Sequence, residues 1–455
     1  MKEYDVVIVG GGINGCGLLR DLALNGAKTL LIEKGDFASQ TSQGSSKMLH
    51  GGIRYLENFD FGLVQEALEE KNLWLKLTPH LCFERDFYLP LYRYSKYSPW
   101  MLRSGLFIYD FLSHFQNRPH AMLSKEETLK KIPSLDAKDL RASGKYYDGI
   151  VDDAKLALEC LYDGLIEEHA KALSYHEVVS TEKKDDGYEI TYQSVFNPQK
   201  MTVRSKFLVF TTGPFTDKLL PQLKIPWKSQ LLPSKGIHLW LKEGSIKTSG
   251  SVVLTTRDNR VVFVIPERDA ILVGTTETPV DQDMFNIQAT DNEIHYLLNV
   301  LKQYFPNAEI SESSIISTFA GVRPLVKEDG LNAHKTSRFH KIFRPDAYTY
   351  VLLGGKYTTF RRMTQELAAE IVPRLGLRYR PNLTLNPLRQ HSIVPTFGQK
   401  RELNPELLKK ILLTEQVTTL EDLLKRRVSM IENPNDLQSV LGMPINEVKN
   451  YFQNR

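Results

Sequence analysis

The chain has 455 residues, and 58 Lys and Arg stand against 54 Asp and Glu, so the formal charge is only +4. Nucleic-acid binders carry a larger and more clustered basic excess, which disfavours that class. A hydrophobic share of 42% and a charged share of 25% describe a globular chain long enough for two or three domains, excluding disorder, collagen and coiled coil as overall classes. The three cysteines, Cys16, Cys82 and Cys160, have no CxxC spacing and cannot all pair, so neither a disulfide framework nor a metal site is expected. A reducing, cytoplasmic compartment fits this usage. The N-terminus shows no secretion signal, and no uncharged apolar run approaches the roughly 18 residues of a spanning helix. Membrane contact is therefore expected to be peripheral, on the inner face of the cell membrane.

Residues 5–9, DVVIV, read as a buried parallel strand that meets the glycine turn GGGINGCG. Helical spacing follows over 13–24, and residues 29–32 read as a second strand ending at Glu33. Gly10, Gly12 and Gly15 give the GxGxxG spacing that brings backbone close to a pyrophosphate, and Glu33 stands where a carboxylate binds ribose hydroxyls. A carboxylate there favours FAD or NAD over NADP. Cys16 opens the helix and is read as a small packing residue.

Residues 39–57, SQTSQGSSKMLHGGIRYLE, are rich in Ser, Thr and Gly and show no amphipathic period, so they read as a loop that either is solvated or contacts a ligand. A helix is predicted over 61–77. Residues 91–118 interleave aromatics with Arg93, Lys96 and Arg103, which suits either a lipid interface or a buried domain contact, and Arg361-Arg362 is a second candidate for anionic lipid. Asp152 or Asp153 is placed to cap a helix beginning VDDAKLAL. Residues 207–210 read as a strand entering the turn TTGPF, and alternation at 237–241, 252–255, 261–265 and 270–274 predicts a mainly antiparallel second sheet. Arg323 stands alone in AGVRPL and, if buried, requires a carboxylate or bound anion. Residues 350–353 lead through GGKYTTF into a helix that Thr358 or Thr359 could cap; amides at such a helix start favour negative charge. Beyond Pro381 the pattern is polar and helical.

Taken in order, GGGINGCG, TSQGSSKMLHGGIRYLE, VDDAKLAL, SKGIHLWL, VFVIPE, VGTTET, AGVRPL and GGKYTTFRR resemble the FAD-dependent glycerol-3-phosphate dehydrogenases of the D-amino-acid-oxidase-like fold. That resemblance implies an α/β protein with a Rossmann-type FAD-binding domain (1–80, 146–222 and 320–380), a mainly antiparallel substrate domain (81–145 and 223–319) and a small helical C-terminal domain (381–455). It also implies oxidation of sn-glycerol 3-phosphate to dihydroxyacetone phosphate, with hydride passing from C2 to flavin N5 and electrons to quinone. An oxidase using dioxygen and a non-catalytic flavin-binding protein are the alternatives. By motif, Gly10, Gly12, Gly15, Glu33, Ser42, Ser46, Lys47, Gly213, Gly355 and Thr358 are expected at FAD, and Arg54, Tyr55, Arg323 and Lys356 at the substrate. Guanidinium and ammonium groups match a phosphate dianion. Arginine is a poor base, so His50 or His238 is the expected proton acceptor, with Lys356 as an electrostatic partner.

Overall fold

The computed structural model describes residues 1–256, 260–267, 269–280, 284–327, 339–393, 405–428 and 448. Lys2–Val9 forms the first strand, in which Val6, Val7 and Ile8 are each fully buried on alternate faces. Such a run is stable only in a sheet covered on both sides, and each buried aliphatic side chain contributes about 1.5–3 kcal/mol. Thr29–Ile32 and Lys200–Phe210 pair parallel to it on either side, and the sheet extends to Ala170–Leu173 and to Thr349–Gly354. Two antiparallel partners, His340–Asp346 and Gly187–Ser194, close the set with His176–Lys184 at the margin.

The helix Ile13–Leu24 lies over this sheet and packs against Asp153–Leu165 and Phe360–Arg374. Its approach depends on Gly15, where an added Cβ would lie 1.9 Å from the Gly10 carbonyl oxygen. Any side chain there would push the helix off the first strand. Asp152 caps Asp153–Leu165 by accepting the Lys155 amide at 3.2 Å. Thr359 occupies the N-cap position of Phe360–Arg374, but its hydroxyl bonds toward Lys356 and Met363 and makes no side-chain cap. Cys16 is fully buried under the turn, and burial pushes its thiol well above the usual range, as expected of a packing residue.

The second sheet is mainly antiparallel. Leu231–Lys242 pairs along its length with Ile315–Val326 and also with Ala270–Gly274; Val261–Glu267 and Ser251–Thr255 follow outward. One parallel pair joins Ser251–Thr255 to Cys82–Tyr92, which pairs with Leu140–Val151. The sheet takes three pieces from segments assigned above to the nucleotide domain. Met48–Leu49 adds to its edge, Leu140–Val151 runs through residue 146 and Ile315–Val326 runs through residue 320 without a break. A strand crossing between sheets leaves no mark in hydrophobic alternation, because both sheets bury the same residue types. Residues 39–57 are accordingly not all loop: they include Met48–Leu49 and a 3₁₀ turn, Ile53–Asn58.

The C-terminal part is helical, with Pro405–Thr414 and Asp422–Arg427 sharing a core that includes Leu408, Ile411 and Leu423. It is tied to the nucleotide layer by buried charge. Asp36 accepts from Arg426 Nε and from both Arg427 terminal nitrogens, one at 2.9 Å, and Tyr162 donates to the Glu415 carbonyl at 3.0 Å.

Candidate active site

A cavity of about 1330 Å³ runs from the first strand's glycine turn to the face of the second sheet. Small-molecule sites usually span about 300–1,000 Å³, so this one has room for a dinucleotide and a small substrate together.

At one end the walls are backbone. Gly10 has φ +107°, and Thr211 Oγ1 donates to its carbonyl at 2.8 Å. Ile13–Leu24 begins at Gly12 without a side-chain cap or an acidic residue in its first turn. Its dipole and its remaining first-turn amides are therefore available to a pyrophosphate. Ser42 Oγ accepts the Ile13 amide at 2.9 Å, which fixes the neighbouring loop over the helix start. Glu33 accepts from the Gly11 amide at 2.6 Å and the Gly35 amide at 2.7 Å, so its carboxylate is aimed before any ligand arrives. Gly213, Gly355 and Thr358 line the far wall. Gly15 and Lys47 do not line it: Gly15 sits behind the turn, and the Lys47 ammonium is held by Asp153 at 2.6 Å and by the Gln43 carbonyl at 3.0 Å.

At the other end the walls are side chains. His50, Arg54, Tyr55, His238, Arg323 and Lys356 all line the cavity. Arg323 donates to Thr275 Oγ1 at 2.9 Å and to the Thr276 carbonyl at 3.3 Å. Gly236 makes room for it, since a Cβ there would lie 2.4 Å from the guanidinium. The Lys356 ammonium sits 3.9 Å from the Tyr55 ring centroid, a distance at which the ring's negative face stabilises the cation.

The two histidines have opposite surroundings. His50 Nδ1 bonds to Asp148 Oδ2 at 2.5 Å. Asp148 is fully buried; its other oxygen accepts the Gly51 amide at 3.0 Å and the Tyr109 hydroxyl at 3.2 Å, and Lys71 lies 4.0 Å away. A carboxylate at Nδ1 fixes the tautomer, makes Nε2 the basic nitrogen and stabilises the imidazolium. His238 is buried at 2% exposure, stacks on Phe319 and lies 2.9 Å from Ser46 Oγ through Nε2. Burial, with Arg323 and Lys47 adding repulsion, pushes its pKa well below the usual imidazole range. It stays neutral.

The model of the FAD dependent oxidoreductase family matches residues 5–360. The chain belongs to that family. It is 34% identical over 400 residues to a glycerol-3-phosphate dehydrogenase of Synechocystis sp., covering 84% of this chain and 72% of the relative. With the aerobic glycerol-3-phosphate dehydrogenase of Bacillus subtilis it shares 31% over 376 residues, 82% of this chain and 68% of that one. Among solved structures, the glycerol-3-phosphate dehydrogenase from Bacillus halodurans complexed with FAD superposes with a TM-score of 0.75 at 23% identity, over 96% of this chain and 88% of that chain. The L-alpha-glycerophosphate oxidase from Mycoplasma pneumoniae with FAD bound gives 0.66 at 21% identity, over 85% and 98%. FAD is the cofactor of this flavoprotein, and the glycine turn, uncapped helix start and preset Glu33 fit its dinucleotide half.

Several residues that hold the cavity's side chains escaped the sequence reading. Asp148 bonds to His50 and Tyr109, Thr275 bonds to Arg323, and Asp36 with Arg427 braces the loop after Glu33. Asp148 left one faint signal, a lone acid in the strand Leu140–Val151 followed at once by the buried run Gly149, Ile150 and Val151.

Proposed function

We propose that the chain oxidises sn-glycerol 3-phosphate to dihydroxyacetone phosphate, the C2 hydrogen and two electrons going to FAD and the hydroxyl proton to His50. The observation that carries this reading is the convergence of Arg323, Lys356 and Arg54 on the same cavity end as an imidazole backed by a buried carboxylate. Both relatives named for glycerol-3-phosphate dehydrogenase align over more than two thirds of their length, which supports the substrate.

When bound, FAD supplies the acceptor for the hydride. Arg323 and Lys356 hold the phosphate dianion, because paired guanidinium and ammonium donors make charge-assisted bonds to several phosphate oxygens at once. Arg54 is exposed and adds attraction at the rim. His50 Nε2 takes the hydroxyl proton as the C2–H bond breaks, and Asp148 stabilises the resulting cation. His238 cannot share that role while its surroundings oppose protonation. It holds Ser46 in place beside the cavity.

Quinone is the acceptor we infer for the second half of the cycle. The supporting observation is the helix Pro99–Leu112, which buries Leu102, Leu106 and Tyr109 while exposing Trp100 at 75%, Met101 at 58%, Phe107 at 55% and Phe111 at 60%. Phe115 packs edge-on against Phe107 and Phe111 and extends this apolar face, and Arg103 lies over the Trp100 ring. Such a face suits the headgroup boundary of a bilayer, where quinone resides. Among the described residues, no helix is long and apolar enough to cross a membrane. Arg361 and Arg362 do not contribute: both are paired with Glu70, and Arg362 also with Glu69.

The reading is tested by turnover of the FAD-loaded chain with a soluble quinone analogue, comparing glycerol 3-phosphate with glycerol, with dioxygen uptake measured in parallel. Phosphate-dependent quinone reduction is expected; dioxygen uptake of equal rate would make the oxidase reading the better one. Salt-sensitive binding to anionic vesicles, weakened in Trp100→Ala, is expected of the membrane face.

A further inference from the structure

A second cluster of ligating side chains lies outside the cavity. His80 follows the helix Phe61–Leu77, Glu159 lies in the middle of Asp153–Leu165, and His391 lies in the segment beyond Pro381–Leu385. One ligand atom from each falls within 4.8 Å of the other two. None of the three lines the cavity.

The surroundings are those of a metal site with its outer contacts in place. His391 Nε2 lies 2.9 Å from the Leu388 carbonyl oxygen. Only a ring N–H bonds to a carbonyl, so the lone pair of His391 is on Nδ1. Metal-bound imidazoles characteristically donate their second nitrogen in this way. Glu159 is fully buried; Oε1 accepts the Ser392 amide at 2.7 Å, and Oε2 lies 2.7 Å from His80 Nε2. The two imidazole rings face each other at 4.1 Å. Next in the chain, the Ile393 amide is held by Glu415 Oε1 at 2.7 Å, while Glu415 Oε2 is buried with no hydrogen-bond partner among the described residues. The cations that act on Glu415 are Lys155, one turn before Glu159, and Arg427, which is already committed to Asp36.

We propose that His80, Glu159 and His391 bind a divalent transition-metal ion of the Zn²⁺ class, which pins the segment around His391 to the helix layer beneath FAD. Two imidazole nitrogens and one carboxylate oxygen, with water in the fourth position, are a donor set this ion accepts at about 2.0–2.2 Å. That shell places ligand atoms about 3.4 Å apart. The exposed His391 side chain closes the remaining gap by rotation. Binding replaces the contact between His80 Nε2 and Glu159 Oε2. The three ligands lie far apart in the chain with no motif spacing, so no local pattern marks them.

The test uses tag-free, FAD-loaded protein stripped with a chelator and titrated with Co²⁺, then Zn²⁺. One equivalent of Co²⁺ is expected to bind with visible absorption bands, to be displaced by Zn²⁺ and to raise the unfolding temperature. In His391→Ala, an exposed position whose loss leaves the fold intact, affinity falls about 100-fold or more, while FAD content and turnover stay unchanged. Glu159→Gln removes the bands as well. Absence of saturable Co²⁺ binding in the wild-type chain, or wild-type affinity in His391→Ala, overturns the proposal and leaves the reading of the cavity untouched.

Discussion

The two ends of the cavity are built from different materials. The nucleotide end is made of main chain: a glycine turn, an uncapped helix start and a carboxylate held by two amides, all within residues 9–35. The reaction end is made of side chains from distant segments, each needing a partner to be held: Arg323 by Thr275, His50 by Asp148, Lys356 by Tyr55. Backbone sites tolerate change in their neighbours because geometry is set locally. Side-chain sites depend on long-range packing, so substitutions there should impair chemistry without releasing the cofactor.

The largest expected effect is at His50. His50→Ala should lower kcat by about 10²–10⁴-fold, and Asp148→Asn should follow in the same direction, with FAD retained in both. Stopped-flow measurement of flavin reduction checks this; unchanged reduction in His50→Ala would move the base elsewhere. Next is Arg427, which couples the C-terminal helices to Asp36 near the nucleotide end. Arg427→Ala leaves Asp36 with Arg426 as its one remaining arginine and should cost about 3–5 kcal/mol of stability, read by chemical denaturation. It should also weaken FAD retention, the opposite signature from His50→Ala.

Arg323→Ala should raise KM, losing about 1.5–3 kcal/mol or more of substrate interaction while the flavin spectrum is kept. Normal kinetics in this variant would remove Arg323 from the phosphate site. The smallest effect concerns Asp21, on the helix that begins at the glycine turn. Burial raises its carboxyl from 3.8 to about 7, so the folded state holds a proton that the unfolded chain releases. The folded state is therefore favoured by this group at low pH, and that contribution is lost as pH rises from about 4 to about 7. Asp21→Asn should flatten this part of the stability profile; an unchanged slope would show that another group sets it.

The same contrast explains what could be read before the structure. The helices 13–24 and 61–77 and the strand 29–32 have the predicted bounds, because their signals are local and periodic. Glycine spacing and Glu33 lie within one turn–helix–strand unit, so that unit was legible as a whole. Asp148 stands 98 positions from His50 in the chain, and no periodicity links them. The choice between His50 and His238 was equally hidden: both are motif histidines, and only their partners, a carboxylate in one case and a serine in the other, separate them. The aromatic segment near residue 100 was read as either lipid-facing or buried. One face of Pro99–Leu112 is buried through Leu102, Leu106 and Tyr109, and the other exposes Trp100, Phe107 and Phe111.

The central claim, that the cations at the reaction end select a phosphorylated alcohol and present it to the flavin, is tested most directly by anaerobic titration of the holoprotein. Glycerol 3-phosphate should bleach the oxidised flavin absorbance with a stoichiometry of one per FAD, whereas glycerol at the same concentration should leave it nearly intact. Equal bleaching by both alcohols, or none by either, would contradict the account.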